Sequence, residues 1–276
     1  MQDRWNSLHY KQYLQAPEWK DFDLLGGLSI QGNEKIVDLC CGDGRLVAML
    51  AQKIPQGKII GIDISPSMIQ HCQKEYHAIK NAEFILGDIE NFLFAEQFEY
   101  IISFRSLHWI KEQQPLYHKL ASLLKPEGKL MIQMAAKLPP LLATAIEALQ
   151  SQPQWKPFFQ NKSSRFFPQT ESNMHLYLKN AGFRSIQTNM SIYTYRIPDS
   201  VMLINLLLCF IPHLLDLPEK EARYFAEEVA QFFYQSEEKN PNEEISIEFT
   251  QLNIRAEDHT HSSTKEIPLD ACKRTL

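Results

Sequence analysis

The segment at residues 36–45, IVDLCCGDGR, most constrains the fold, because a short apolar run ends there in a glycine-rich turn that is followed by helical periodicity. This order predicts a β-strand, a tight turn and the start of an α-helix. Gly42 and Gly44 can adopt backbone angles that other residues avoid, and the first turn of the helix presents unpaired N–H groups to a ligand. The turn is consistent with a nucleotide site, and equally with a sharp strand-to-helix connection that binds nothing.

Two further strands end in a carboxylate. The run KIIGID ends at Asp63, about 20 residues after Gly42, which is the spacing of an acid that binds ribose hydroxyls in a doubly wound sheet. The run AEFILGD ends at Asp88, and open α/β sheets bind ligands at the carboxyl ends of their strands. The turn itself carries Asp43, whose negative charge disfavours a pyrophosphate. Because Val47 also replaces the third glycine of a dinucleotide fingerprint, the pattern favours a ligand with a ribose and a positively charged centre.

Three segments resemble the class I S-adenosylmethionine-dependent methyltransferases in order and spacing: VDLCCGDG at 37–44, GIDISPSM at 61–68, and GD at 87–88. The resemblance implies an α/β, Rossmann-like sheet of seven strands, mostly parallel with an antiparallel last strand, and a helical cap. It also implies S-adenosyl-L-methionine as the cofactor, which leaves as S-adenosyl-L-homocysteine. The glycine turn would meet its methionine part, the acid after the second strand its ribose, and the end of the third strand its adenine. The implied cofactor-binding residues are Asp38, Cys40, Gly42, Asp43, Gly44, Asp63, Ile64, Met68, Asp88, Ile89, Ser103 and Phe104.

Several of these residues also have a purely structural interpretation. Large apolar side chains such as Ile64 and Met68 are mostly buried for packing, and Asp88 could simply begin a turn. The family usually has glycine at the position of Cys40, so a side chain there costs backbone freedom, and often has threonine at the position of Asp43. Only the joint placement of the residues favours the cofactor.

Length and composition suit one enzyme-sized domain. The 276 residues are 44% hydrophobic and 22% charged, which predicts a single methyltransferase domain over 1–256, with a core at 30–136 and a cap and C-terminal half at 137–256. Residues 257–276 are polar and aperiodic, and we expect them to be disordered. The first residues lack the apolar region of a secretory signal, and the longest apolar run, 201–211, is too short to span a bilayer.

Charge and cysteine usage exclude several partners. A net charge of −5 with dispersed lysines and arginines predicts no nucleic-acid surface. Methyltransferases that act on adenine typically have an Asn/Asp-Pro-Pro-aromatic box at the position of residues 103–106, which read SFRS here. This difference disfavours methylation of nucleic-acid bases. The five cysteines lack the spacing of metal ligands, so we expect no metal site, reduced thiols and a cytoplasmic protein.

The remaining predicted strands and helices are those of an α/β domain. Strands and helices alternate over 36–135, which predicts a parallel sheet. An aromatic-rich helical lead is expected at 1–24, and the methyltransferase resemblance makes the last predicted strand the antiparallel seventh. The other predicted elements are strands at 98–103, 128–134, 185–195 (with Ile186, Thr188, Met190, Ile192 and Thr194 on one face) and 245–254, helices at 141–149, 199–211 and 218–235, and a helix bracketed by Thr170 and Gly182.

The methyl acceptor is indicated by the segment SFRSLHW at 103–109. It resembles the juvenile hormone acid methyltransferases and, less closely, the trans-aconitate methyltransferases. The resemblance implies that Gln15 and Trp109 hold a substrate carboxylate. His108 is a third candidate for orienting the substrate, although a lone histidine at such a turn is more typical of a structural hydrogen bond than of a general base.

A carboxylate acceptor also agrees with the lack of an obvious acid and base pair in the sequence. A carboxylic acid has a pKa of about 4, so its oxygen is an anionic nucleophile at neutral pH and needs no base. The sequence therefore predicts an O-methyltransferase that acts on the carboxylate of a small, largely apolar organic acid.

Alternative functions stay open at the level of sequence. Arg105 could clamp a second carboxylate, or could simply be solvated at the surface. Arg165, in the run RFFP, resembles an arginine of the malonyl acyl-carrier-protein methyltransferases, which would make an acyl carrier protein the partner. A third possibility is a protein that binds the cofactor as a sensor or effector scaffold without transferring its methyl group.

Overall fold

The structure is a computed structural model that describes residues 5, 7, 10, 28–160, 165–211 and 215–259, without the side chains of 258 and 259. Its centre is a seven-stranded sheet with the order β3-β2-β1-β4-β5-β7-β6. The strands are β1 (Lys35–Leu39), β2 (Lys58–Asp63), β3 (Ala82–Leu86), β4 (Phe98–Phe104), β5 (Leu124–Ala135), β6 (Phe183–Ile197) and β7 (Ile245–His259). The helices are α1 (Arg45–Lys53), α2 (Pro66–Glu75), α3 (Gln113–Leu123), α4 (Pro140–Gln150), α5 (Lys156–Phe159), α6 (Glu171–Asn180), α7 (Ser200–Leu208) and α8 (Glu219–Ser236).

The pairing of the strands confirms the predicted fold class. Strands β1 to β5 pair in parallel wherever they are neighbours, so their carboxyl ends share one edge. Strand β7 is antiparallel to both β5 and β6, as predicted for the seventh strand. The order of the strands changes direction between β1 and β4, and open α/β sheets bind ligands at such a switch point, beyond the carboxyl ends of the strands.

Helices cover both faces of the parallel strands, and the sequence of β1 shows why. Its consecutive residues Ile36 and Val37 are both fully buried, and they belong to different core clusters on opposite faces. The cluster of Ile36 includes residues of α1 and α2, whereas the cluster of Val37 includes residues of α3 and α6. A strand buried on both faces reads as a continuous apolar run, which is the run that the sequence displays.

A separate apolar cluster forms the cap. Helices α4, α7 and α8 pack with the ends of β6 and β7 around residues such as Phe225, which is fully buried. Trp155 packs edge-on against Phe225 with the ring centroids 4.9 Å apart, and its indole N–H donates to Glu228 at 2.6 Å. The helices predicted at 141–149 and 218–235 are present with ends shifted by one residue. The helix predicted at 199–211 begins at Ser200 and ends at Leu208.

The helix predicted between Thr170 and Gly182 is α6. The hydroxyl of Thr170 accepts a hydrogen bond from the backbone N–H of Asn173 at 3.1 Å, which is the expected N-cap. Gly182 follows the end of the helix with a φ of 99°, a left-handed angle that favours glycine.

Strand β6 is longer than predicted, and the apolar residues of its predicted face are exposed near the middle of the strand. Met190 and Ile192 are 47% and 63% exposed, while Tyr195 and Ile197, on the opposite face, are buried in the cap cluster. The reason is tertiary: β6 is an edge strand, and the cap covers only the face that carries Tyr195.

The ends of the chain differ in how far the structure tests the predictions. Strand β7 continues to His259 and pairs with the start of β6, so the prediction of disorder is wrong for residues 257–259. Residues 260–276 lie outside the described part. In the predicted helical lead, Ser7 and Tyr10 are helical, and most of the other residues lie outside the described part. Within the described ranges, no helix is long and apolar enough to cross a membrane.

Candidate active site

The glycine-rich turn after β1 contains three residues with left-handed backbone angles. Cys40, Gly42 and Gly44 have φ values of 58°, 54° and 74°. A Cβ added at Gly42 would have no atom within 4 Å, whereas one at Gly44 would lie 2.7 Å from Phe84 and 2.8 Å from the sulfur of Cys72. Gly42 therefore leaves an open cradle in which a ligand can approach the backbone, while Gly44 is required by the packing of α2 and β3.

Asp63 connects the ends of β1, β2 and β3. One carboxylate oxygen accepts the backbone N–H of Gly42 at 2.9 Å, and the other accepts that of Ser65 at 2.9 Å. Its backbone carbonyl accepts the N–H of Gly87 at 2.9 Å, next to Asp88. The side chain is 7% exposed and anchored on both oxygens, so its position beside the glycine turn is well defined.

The predicted acids of the three strands converge on one point of the sheet edge. Burial raises the pKa of the Cys40 thiol well above its usual value, and the carboxylates of Asp63, Asp38 and Asp88 raise it further. Because these three charges act on one sulfur, the space beside Cys40 is a region of negative potential. Such a region suits a ligand with a positively charged centre.

The other predicted cofactor residues are divided between the open edge and the interior. Ile64 is 46% exposed, but Met68 is buried and its N–H donates to the hydroxyl of Ser65 at 3.2 Å. Ser103 is fully buried, and its hydroxyl donates to the carbonyl of Leu39 at 2.9 Å, which ties β4 to β1. Asp43, Ile89 and Phe104 are also buried, and Arg45 Nε lies 2.7 Å from Asp43 Oδ2.

His108 and Trp109 lie in a short 3₁₀ turn, Leu107–Trp109, just after β4. His108 is 5% exposed, and its Nδ1 accepts the backbone N–H of Ala135 at 3.3 Å. Burial, and secondarily the positive charge of Arg105, lowers the pKa of His108 to about 3. The imidazole is therefore neutral at neutral pH, and the lone pair of Nδ1 is already engaged by the backbone.

Trp109 is half-buried among aromatic rings. The ring of Trp5 lies edge-on to it with the centroids 6.1 Å apart, and Phe166 lies at the same distance. The carbonyl of Trp5 accepts the hydroxyl of Ser67 at 2.5 Å, in the first turn of α2. Trp5 thus connects the turn that carries Trp109 with the first turn of α2, two places at which the sequence predicts the acceptor and the cofactor.

Trp5 and Tyr10 were not predicted as site residues, although both belong to the aromatic lead. Tyr10 packs edge-on against Trp5 with the centroids 6.3 Å apart, and burial raises the pKa of its phenol to about 12. Gln15, the second candidate for holding a carboxylate, lies outside the described residues. A run of aromatic side chains at the start of the chain was the available signal for the missed residues.

The two arginines with open roles have different surroundings. Arg105 has a φ of 57° directly after β4, and its Nε and Nη1 atoms are buried, so the interpretation as a solvated surface residue is wrong. The guanidinium of Arg165 lies 3.1 Å from the carboxylate of Asp216, which engages its charge. Of the two arginines, Arg105 is the one whose charge acts on His108, next to Trp109. Among the described residues, no group of three or more histidines, cysteines and acids could hold a metal ion.

Comparison with known proteins identifies the family. Residues 30–182 match the family described as a methyltransferase domain, which is more than half of the chain. The chain belongs to this methyltransferase family. The match and the strand order confirm the prediction of a class I S-adenosylmethionine-dependent methyltransferase, and hence of an enzyme.

The individual relatives have low sequence identity to this chain, but the alignments cover more than four fifths of both proteins. Trans-aconitate 2-methyltransferase of Escherichia coli (strain K12 / DH10B) is 26% identical over 91% of this chain and 97% of its own length. Protein 235L of Invertebrate iridescent virus 6, named as a methyltransferase without a stated substrate, is 26% identical over 83% of this chain and 85% of its own length.

A solved structure shows the same fold. It is the Haemonchus contortus phosphoethanolamine N-methyltransferase 2 in complex with phosphomonomethylethanolamine and S-adenosylhomocysteine. The TM-score is 0.57 at 15% identity, with 92% of this chain and 57% of that chain covered.

Proposed function

We propose that this methyltransferase transfers the methyl group of S-adenosyl-L-methionine to the carboxylate of a small, largely apolar organic acid. The observation that carries the proposal is the protonation state of the acceptor side. His108, with a pKa of about 3, is neutral and hydrogen-bonded through Nδ1, and Tyr10, with a pKa of about 12, keeps its proton at neutral pH. Neither group can act as a base at neutral pH, so the surroundings of Trp109 favour an acceptor that is already ionised.

The residues at the sheet edge fit the cofactor. The open cradle at Gly42 gives the methionine part access to the backbone, and the fixed carboxylate of Asp63 is an acceptor for ribose hydroxyls. Asp38 and Asp88 add the negative potential at Cys40 that favours a sulfonium. Ile64, which is half-exposed at the start of α2, is available to the adenine, while Met68 would support it from within the core.

When bound, the cofactor supplies an electrophilic methyl carbon and accepts the electron pair of the broken carbon–sulfur bond. The protein then has to place one carboxylate oxygen in line with that bond and to exclude water. In this proposal Trp109 orients the carboxylate, together with Gln15, and neutral His108 fixes the turn that carries Trp109. Trp5 and Phe166 restrict the access of water to Trp109 because their rings pack against it.

An acid as substrate is also supported by the relatives that are named trans-aconitate 2-methyltransferases. The apolar cap, with Phe249, Met202 and Phe210 packed against its cluster, supports a largely apolar acid. The four cysteines in the described part are free thiols, which supports the prediction of a cytoplasmic location. An acyl carrier protein as partner gains no support from Arg165, because Asp216 engages its charge.

The test is a transfer assay with methyl-labelled S-adenosylmethionine and a panel of fatty, isoprenoid and tricarboxylic acids, with amines and phenols as competing acceptors. We expect a methyl ester, identified by mass spectrometry and by the release of labelled methanol in base. The matched control is Asp63→Asn, which removes the carboxylate on the ribose side and should abolish transfer to every acceptor. Transfer to an amine or a phenol alone, dependent on Asp63, would refute the carboxylate acceptor.

A further inference from the structure

Three buried amides form a polar band on one face of the sheet, between the core and the cap. Gln133 on β5 and Gln251 and Asn253 on β7 are 2%, 3% and 6% exposed. Along β5 the same face continues into the core at Met131, and along β7 it continues into the cap at Phe249. The amide band is therefore a polar stretch between apolar residues on the same face of the sheet.

Two members of the amide band are held by hydrogen bonds within the protein. The side-chain N–H of Gln133 donates to the side-chain oxygen of Asn253 at 2.9 Å and to the hydroxyl of Tyr193 at 3.4 Å. The side-chain N–H of Asn253 donates to the hydroxyl of Ser191 at 2.8 Å. These bonds give both amides a structural role in joining β5, β6 and β7.

Gln251 differs from the other two. Its side-chain oxygen is fully buried and has no hydrogen-bond partner within the part of the chain that the structure describes. A buried polar atom without a partner costs free energy, and the protein could avoid this cost with an apolar side chain. Because such atoms are rare in native proteins, the amide oxygen of Gln251 points to a partner that the described part of the chain does not supply, such as a bound ligand.

The position of Gln251 places it beside the acceptor side of the site. Its direct neighbour on β5 is Ala135, the last residue of that strand, whose backbone N–H binds His108. Ala135 is partly exposed, whereas its cross-strand neighbour Gln251 is buried. The backbone N–H of Arg105, directly after β4, donates to the carbonyl of Gln133 on β5 at 2.6 Å.

We propose that Gln251 determines acceptor specificity by accepting a hydrogen bond from a hydroxyl group of the acid, remote from the carboxylate that is methylated. This inference rests on the proposed function and narrows it to hydroxylated, otherwise apolar acids. A hydroxyl can donate to an amide oxygen, whereas an ionised second carboxylate has no proton to donate to it. The apolar residues on either side of the amide band would hold the hydrocarbon part.

The direct test measures binding as well as turnover. Hexanoic, octanoic and decanoic acids and their ω-hydroxy counterparts are titrated into the protein loaded with S-adenosylhomocysteine, and the same acids are assayed for methyl ester formation. For at least one chain length, the hydroxy acid should bind about tenfold more tightly than the plain acid, which is the difference that one net hydrogen bond makes. In Gln251→Met this preference should disappear, because the Kd and KM of the hydroxy acid rise to those of the plain acid.

Thermal unfolding provides a second readout that needs no substrate. Because Gln251→Met removes an unpaired buried oxygen and conserves volume, we expect the melting temperature to stay equal or rise. The matched control is Gln133→Met, which breaks the hydrogen bonds to Asn253 and Tyr193 and should lower it. A clear fall for Gln251→Met would show that the amide is structural and would overturn the inference.

The two proposals fail in different ways. Equal binding of plain and hydroxylated acids at every chain length, or a preference that survives in Gln251→Met, overturns the role of Gln251 and leaves carboxylate methylation intact. A hydroxyl preference that depends on Gln251, but with no methyl ester from any acid, supports the role of Gln251 and refutes the proposed reaction.

Discussion

The buried imidazole of His108 should make the folded protein sensitive to acid in a defined pH window. Its pKa is about 3 in the folded state and 6.5 in the unfolded chain, so the unfolded state binds the proton first as the pH falls. Above pH 6.5 the imidazole is neutral in both states and contributes no pH dependence. Below that value, and down to a pH of about 3, stability falls by about 1.4 kcal/mol per pH unit, or about 2 kcal/mol by pH 5.

The variant that tests this is His108→Asn, because the side-chain oxygen of asparagine can replace Nδ1 as the acceptor for the N–H of Ala135. The free energy of unfolding in urea is measured for wild type and variant at several values between pH 8 and pH 5. Carboxylates titrate in both proteins, so the difference between the two curves isolates His108. We expect the variant to lose less stability on acidification, by about 2 kcal/mol at pH 5.

A control separates burial from the mere presence of a histidine. His118 is exposed on α3, where its Nδ1 lies near the carbonyl of Gln114. The His118→Asn variant makes the same substitution at this exposed histidine and is the control against which the His108→Asn curve is compared. If His108→Asn follows the wild-type curve, His108 titrates normally in the fold. The argument that the acceptor side lacks a base would then be wrong.

Three further predictions concern the cofactor side. In urea unfolding, the free energy of unfolding of Cys40→Gly should exceed that of Cys40→Ala by about 1 kcal/mol, because the φ of 58° penalises any Cβ. Equal free energies of unfolding would show that a Cβ causes no strain at this position. Asp63→Asn should weaken binding of S-adenosylhomocysteine by at least about tenfold in calorimetry, since it leaves the ribose without a charged acceptor, and should lower the melting temperature, since its NH2 would face the backbone N–H of Gly42 or Ser65. Gly44→Ala should unfold at a clearly lower temperature than Gly42→Ala, because only its Cβ would lie within 3 Å of Phe84 and Cys72; similar melting temperatures would show that the turn can adjust.

The cofactor side was largely predictable because its signals are local. The strand, turn and helix around Gly42 follow from residues that are adjacent in the chain, and Asp63 and Asp88 end strands that parallel pairing brings to the same edge. The prediction did not distinguish the two glycines. Only the structure shows open space at Gly42 and close packing at Gly44, because the atoms that crowd Gly44 come from α2 and β3.

The acceptor side was less predictable because its residues are far apart in sequence. Trp5 meets Trp109 across about 100 residues, and Gln251 lies beside Ala135 only through the antiparallel pairing of β7. The alternation along β7 nevertheless carried a signal: Ile247 and Phe249 point into the cap, and the same alternation leads to Gln251. A polar residue at an inward position was a marker that could have been noticed.

By itself the sequence determined the methyltransferase fold and the cofactor, and it predicted the residues that we propose for the donor site, because each glycine and acid among them acts through a short segment of chain. The tertiary structure decided what no segment carries alone: which face of β6 is covered, that His108 is buried and neutral, and that the buried oxygen of Gln251, beside Ala135, meets no hydrogen-bond partner among the described residues. Burial and hydrogen-bond satisfaction depend on what packs against a side chain, and here the packing partners come from strands and helices far away in the chain.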